Sequence, residues 1–543
     1  MKTKRFFIIA FLMFGSGALL AQGPRHQVIF APNNISTFFV SSGIFNINDT
    51  TNNTPGLQWP AGSRRYAVFS TGFNIIAYVN GALRMTAASY TGEYTPGYIL
   101  NNAPVWNSDF KIYKVTRGDG PSNPDWANWY KMVPFGAPYY DVNNNGIFDQ
   151  GIDTPGVHKA QQTLFVCLTD GFTSTHSQSE GFGGGTAPMF AETHLTAWGY
   201  SNSMYADMQF IKFEVINKGT YSWDSTHAGI LCDADLGAAE DDYIGCDTSR
   251  QLGYDYNMDN IDGSGNPPSY GANPPAVGII LLKGCRNNSV VPAVNLRMKT
   301  FHQLYCWGCS EPNCELMPLN PTEAMRTLKG YKRDGSNFMN PLAVPPVPTK
   351  FTYTGDPETN AGWTEYKGSI RNCGGDTGLV MTVNGAHDSR FVFSTGADNF
   401  RVMPGDTQKI VICQLIARGT SNLNSVTRLK SLSDVAWSLY NSGFVIKVNN
   451  LSTQIPGMYT LSQNYPNPFN PATRIRFSVP ESNFVILKVY DVRGREIAAL
   501  VNERLQPGIY EAEFDGIALP SGVYFYSLQS GDFRETKKMA LIK

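Results

Sequence analysis

Between residues 65 and 415, clusters of proline, glycine and asparagine cut the chain into short apolar runs, and this punctuation constrains the fold most. The stretch from Gln209 to Ile216, QFIKFEVI, shows what lies between the cuts. Ile211, Phe213 and Val215 fall on one side of an extended chain, Lys212 and Glu214 on the other. That is the period of two of a β-strand. Arg65 to Phe69, Val277 to Leu282, Phe391 to Phe393 and Lys409 to Leu415 are strand-like in the same way. No helical stretches alternate with them, so nothing suggests βαβ units. The expected fold class is mostly β, with an antiparallel β-sandwich body of one or two domains.

One helix is expected near the end of this body. Ser421 and Asn422 are capping residues, and Leu423, Val426, Leu429, Leu432, Ala436 and Leu439 then recur every three or four positions. Gly443 supplies the stop. A turn-rich joint, LSTQIPGM at residues 451–458, follows it. At 543 residues the chain exceeds one ordinary core. The expected division is a β-rich region at 22–205, a second at 206–450 ending in the helix, the linker at 451–458 and a module at 459–543.

Charge and the N-terminus narrow the function. Only 16% of residues are charged, the net charge is -1, and no run of lysine and arginine occurs, so nucleic acid is not an expected partner. Lys2, Lys4 and Arg5 precede an apolar run from Phe6 to Phe14 and then Ala21-Gln22. This reads as a secretory signal peptide at 1–21, too short for a bilayer span. The mature protein is expected to be soluble and exported, with no transmembrane span. Export permits disulfides among the nine cysteines, and one is expected within the cluster Cys306, Cys309 and Cys314. A zinc site there needs a fourth ligand, for which His302 is the neighbour. Cys167 and Cys413 sit in apolar runs and are expected to be buried and inert.

From Tyr459 onward the strands are short and alternating, enough for a small Ig-like C-terminal sandwich. Here particular motifs stand in order: Asn464-Tyr465-Pro466-Asn467-Pro468-Phe469-Asn470-Pro471, Val489-Tyr490-Asp491 with Gly494-Arg495-Glu496, Gly522-Val523-Tyr524-Phe525-Tyr526, and Lys537-Lys538-Met539. This stretch resembles the type A C-terminal sorting domain of the type IX secretion system. The resemblance implies that residues 459–543 engage the type IX machinery. It implies delivery after periplasmic transit, with the cargo secreted or attached to surface lipopolysaccharide. The body resembles uncharacterised large cargo proteins carrying the same domain, through Asn34 to Thr37, Phe210 to Asn217, Asp233 to Gly237, Asp241 to Asp247, Gly355 to Pro357 and Met403 to Gln408. No activity follows from that likeness.

Two acidic stretches carry the candidate sites. In DVNNNGIFDQGID, Asp141, Asn143, Asn145 and Asp149 occupy positions one, three, five and nine of a calcium-loop pattern, Gly146 the sharp turn, and Ile147 offers its carbonyl. Ile152 stands where the loop's glutamate belongs, so Asp153 must serve, and no helix pair flanks the loop. Such oxygen donors suit calcium, and an Asn/Gly turn without metal is the plain alternative. The second locus holds Asp233, Asp235, Asp241, Asp242 and Asp247, followed by Asp255, Asn257, Asp259 and Asp262. So many carboxylates repel unless solvated, protonated or bridged by cations. No Gly-x-Ser-x-Gly, His-Glu-x-x-His or phosphate loop occurs, and the glycine-rich EGFGGGTAPMF from Glu180 reads as a turning loop. The sequence therefore predicts an exported structural or interaction protein with calcium-stiffened loops. The alternatives are a carbohydrate-binding or adhesive protein, using loop aromatics such as Trp126, Trp129, Tyr130, Tyr139 and Tyr140, and a secreted glycoside hydrolase with carboxylates in 233–262.

Overall fold

The computed structural model describes residues 23–50, 54–177, 181–263, 268–305, 313–371, 373–375, 379–444, 448–452, 456–505, 507–516 and 519–543. The expected signal peptide, Glu180, Cys306 and Cys309 lie outside the described residues. Short alternating runs pair antiparallel, as the punctuation dictates, and build two large sheets. The first orders Gln27–Phe30, Thr37–Val40, Ile44–Phe45, Ser70–Val79, Trp223–Asp233, Ser389–Gly396 and Thr300–Tyr305, with Ala82–Thr86 also on Ser70–Val79. The second runs Thr95–Pro96, Gln162–Thr169, Ala191–Gly199, Met208–Asn217, Thr407–Ala417, Ala276–Lys283, Leu252–Asn257 and Asp242–Asp247, with Tyr113–Thr116 on Gln162–Thr169.

The sheets face each other across one apolar core. Phe73, Ile230 and Phe393 of the first share it with Phe213, Ile279 and Ile412 of the second. The Phe73 and Phe213 rings stack 4.4 Å apart, pinning the faces together. Both sheets draw strands from either side of residues 205 and 206. Ala191–Gly199 pairs directly with Met208–Asn217, so the division expected there falls inside a hairpin connection. Of the one-or-two-domain alternatives, the strand order builds one sandwich.

Each outer face is closed by a helix. Asn422–Asn441 follows Ser421, whose hydroxyl accepts from the Asn424 amide at 3.0 Å. It lays Val426, Leu429, Ala436 and Leu439 on Phe210, Ile280 and Leu415 of the second sheet. Pro321–Leu328, which the sequence reading did not anticipate, covers the first sheet with Ala324, Met325 and Leu328 on Ile76, Leu231 and Val392. Its Asn320 cap accepts from Glu323 N at 3.0 Å.

Cys314 bonds outside its cluster, to Cys373, with Cα atoms 5.7 Å apart; the expected pairing within the cluster is left to Cys306 and Cys309, outside the described residues. The short turn Asn313–Glu315 is brought against residues 373–375 by the fold, so proximity in sequence does not choose the partner. Closing this loop of 59 residues restricts the unfolded chain by about 4 kcal/mol. Cys167 and Cys413 are buried free thiols, as their apolar surroundings predicted.

The C-terminal module is a separate pair of four-stranded sheets. One orders Val448–Ser452, Gly508–Asp515, Ala472–Val479 and Thr460–Leu461; the other orders Glu496–Leu505, Asn483–Tyr490, Gly522–Ser530 and Phe533–Leu541. Its motifs have local physical roles. Phe469 plugs the core, 2% exposed, edge-on to Phe514. Asn464 is buried and donates to Thr473 Oγ1 at 2.9 Å. The Asp491 carboxylate accepts from the Arg493 and Arg495 amides, closing the turn before Glu496–Leu505.

Candidate metal centre

At one end of the sandwich several acidic side chains are drawn inward by strand parity. In Leu252–Asn257 the tyrosines Tyr254 and Tyr256 face the outer helix, which turns Gly253, Asp255 and Asn257 towards the interior. In the neighbouring Asp242–Asp247, Ile244 and Cys246 join the core between the sheets, so Asp242 points the same way. Asp233 ends Trp223–Asp233 in the facing sheet, opposite Arg390 in register. Glu365, on the short turn Glu365–Lys367, and Asp388, just before Ser389–Gly396, complete the group.

The outer part of the centre is half open. Ligand oxygens of Asp233, Asp235 and Asp388 lie within 4.8 Å of one another. That is the span across a cation whose oxygen ligands sit at about 2.3–2.6 Å. Arg390 is the local cation, 3.2 Å from Asp233 Oδ1 and 2.8 Å from Asp388 Oδ1, and it donates to Tyr90 Oη at 2.8 Å. Burial lifts the Asp233 carboxyl against the pull of Arg390, to about 6, and Asp388 adds to the rise. Burial, then Asp233 and Asp388, push Asp235 up strongly.

The inner part is sealed. Asp242 and Asp255 are each 0% exposed. Asp242 Oδ2 accepts from Leu236 N at 3.1 Å while its Oδ1 has no hydrogen-bond partner, and neither oxygen of Asp255 has one. Glu365 Oε2 accepts from Ile244 N at 2.6 Å. Burial first, then the charges of Glu365, Asp235, Asp241 and Asp233, drive the Asp255 pKa well up. Asp242 is raised by burial and then by Asp255 and Asp241. A buried ion without partners costs several kcal/mol. Protonation removes the charge but leaves an O–H and a carbonyl with nothing opposite, so the deficit persists. A hard cation would satisfy charge and lone pairs together, and an all-oxygen donor set suits calcium or magnesium.

The remaining predicted residues divide. Asp241 accepts from Asn257 Nδ2 at 2.8 Å and from Gly263 N at 3.2 Å, and so ties the rim. Asp262 accepts from Ala238 N at 3.0 Å and from Tyr270 N. Gly237 lies at φ +76°, and a Cβ there would fall 1.9 Å from Asp262 Oδ2, so only glycine fits. Asp247 is not brought to the centre. It ends the strand that Asp242 begins and is held by Arg250 at 2.9 Å and by Ser249. Asp255 stood in the second acidic stretch, but Glu365 and Asp388 escaped the sequence reading, being more than a hundred residues from Asp242 with no local pattern to mark them.

The 141–153 loop is a separate locus clipped by the two-residue strands Tyr139–Tyr140 and Thr154–Pro155. Asp141 accepts from Asn145 N and Gly146 N at 3.2 and 2.7 Å. Asp153, 3% exposed, accepts from Val142 N and Asp149 N at 2.9 and 2.7 Å. Asn143 and Asn145 both reach Asp149 Oδ2, at 2.8 and 2.6 Å. The predicted side chains thus converge, while Ile147 is 66% exposed. Of the loop aromatics, Trp129 is fully buried and Tyr139 lies against Phe148, while Tyr130 and Tyr140 stay exposed, Tyr140 stacking on His158 at 3.8 Å.

Residues 463–543 match the family described as the secretion system C-terminal sorting domain. No curated protein matches the chain. Among solved structures, a polysaccharide lyase is similar over 65% of this chain at 7% identity and TM-score 0.17, and a Salmonella alpha-2-macroglobulin mutant over 87% at 8% identity and TM-score 0.14. The aligned region covers 34% of the lyase and 26% of the macroglobulin. Among the described residues no helix is long and apolar enough to cross a membrane.

Proposed function

Because residues 463–543 carry a type IX sorting domain, which marks the chain for export to the surface or the medium, we propose that the body is a non-enzymatic structural or interaction protein stiffened by calcium. The observation that carries this reading is Asp255, fully buried with two oxygens that meet no hydrogen-bond donor. Asp233, Asp235 and Asp388, whose oxygens lie within 4.8 Å of one another, would hold one ion with Asp242, Asp255 and Glu365 on its inner side, and a second ion would sit in the 141–153 loop. A bound cation would tie the two sheets at the end where their carboxylates repel. The hydrolase reading needs two carboxylates facing a sugar cleft, and the complete burial of Asp242 and Asp255 speaks against it.

Thermal unfolding of the purified protein tests the proposal. Saturating calcium is expected to raise the transition above that in chelator, by about 2.7 kcal/mol once the ion exceeds its dissociation constant a hundredfold. Asp255→Asn, which keeps the shape but offers no anionic ligand, should blunt this rise. A transition that ignores chelator in the parent protein overturns the reading.

A further inference from the structure

We propose that a cationic groove beside the C-terminal half of the helix Asn422–Asn441 binds an anionic saccharide. The groove has a volume of about 840 Å³, within the range of small-ligand sites, about 300–1,000 Å³. Trp437 and Tyr440 line it from the helix; Lys283, Arg286 and Arg297 line it from the second sheet and the segment after it. Arg250 and Asp434 complete its charged residues, and these two already pair, Nε to Oδ1 at 2.9 Å. Lys283, Arg286 and Arg297 form no ion pair among the described residues, and with Arg250 the lining sets four cations against one acid, Asp434. The chain as a whole balances 43 Lys and Arg against 44 Asp and Glu, which makes this imbalance local. Lys283 feels the crowding: burial, then Lys409 and Arg286, lower its pKa against the opposing pull of Glu214.

The lining chemistry points to one ligand class. Guanidinium forks match carboxylate, sulfate or phosphate in two-pronged fashion. Trp437 and Tyr440 offer apolar ring surface of the kind that packs on a sugar's C–H face, and Ser438, Asn441 and Asn295 offer neutral partners for hydroxyls. An acidic sugar presents all three features at once. Its source is either a free polysaccharide or the glycan of a lipid-anchored one. The groove contains none of the proposed calcium ligands, so the two readings fail independently.

Binding of the full chain to trigalacturonate, maltotriose, a short polyglutamate peptide, intact lipopolysaccharide and its delipidated polysaccharide tests the assignment. Trigalacturonate is expected to bind, to weaken about tenfold when salt rises from about 50 to about 500 mM, and to weaken at least about tenfold in the triple variant Lys283→Gln, Arg286→Gln, Arg297→Gln. Trp437→Ala should also weaken it, with Trp437→Phe restoring part of the loss. Equal binding of intact and delipidated polysaccharide supports recognition of the sugar alone. Failure to bind trigalacturonate, indifference to the triple variant in a protein with unchanged circular dichroism, equal affinity for maltotriose or polyglutamate, or binding of intact lipopolysaccharide alone each overturn the proposal.

Discussion

His176 lies between two buried carboxylates, its Nδ1 3.4 Å from Glu93 Oε1 and its Nε2 3.9 Å from Asp170 Oδ2. Backbone amides hold both acids: Ala87 N and Gly185 N donate to Glu93, Met189 N and Ala191 N to Asp170. Gly185 belongs to the glycine-rich loop, which turns tightly around Glu93 as its composition suggested. Burial alone would lower the His176 pKa, but Glu93 and Asp170 outweigh it and raise it to about 8. The folded state thus holds the proton more tightly than the unfolded chain, whose value is near 6.5. Stability from this group is complete below pH 6.5 and is lost as pH climbs through about 8, amounting to about 2 kcal/mol. His227 and His302, both held down to about 4, act on the acid side of that window. His176→Gln should therefore flatten the unfolding midpoint against pH between about 6.5 and about 9; an unchanged slope refutes the assignment. Little of this was legible in a lone histidine: Asp170 stands six residues before it in the same connection, but Glu93 comes from a different strand connection far earlier in the chain.

At the scale of elements the sequence was most readable where one face packs on one neighbour. The helix at 422–441 carried its spacing and its cap openly, and Leu429 is 0% exposed beneath it. Leu429→Ala is expected to cost about 3 kcal/mol, transfer plus cavity, read as a lower urea midpoint with unchanged slope. A loss below about 1 kcal/mol would mean that the helix is not docked as described. Pro321–Leu328 was missed because its eight residues are only two turns, too few for a period to declare itself. The 141–153 loop lay between these cases: the convergence of its acidic and asparagine side chains was readable, since a loop motif acts within its own residues. Its setting on a two-residue hairpin came from strand pairing outside it.

The whole molecule joins a single large sandwich to an address. Removal of residues 459–543 is expected to leave the protein in the periplasm, seen as loss of the surface and medium fractions with unchanged total protein. Unchanged delivery would overturn the role of the tail. That tail was legible in the sequence because its motifs do local work, Phe469 filling the small core and Asp491 closing a turn four residues long. The strands of the body were legible for a related reason, since a period of two is written in consecutive residues. Their order was not. Strands at 223–233, 389–396 and 300–305 become neighbours although long stretches separate them, and no local period encodes that choice. The sequence alone determined strand content, the export address and the acidic stretches. Only the tertiary structure decided that Asp255 would be sealed in with Glu365 and that Asp247 would be left at the far end of its strand. Parity sets which side chains turn inward, but sheet order sets what they meet there, and like charges are forced together only by packing energy gathered over the entire sandwich.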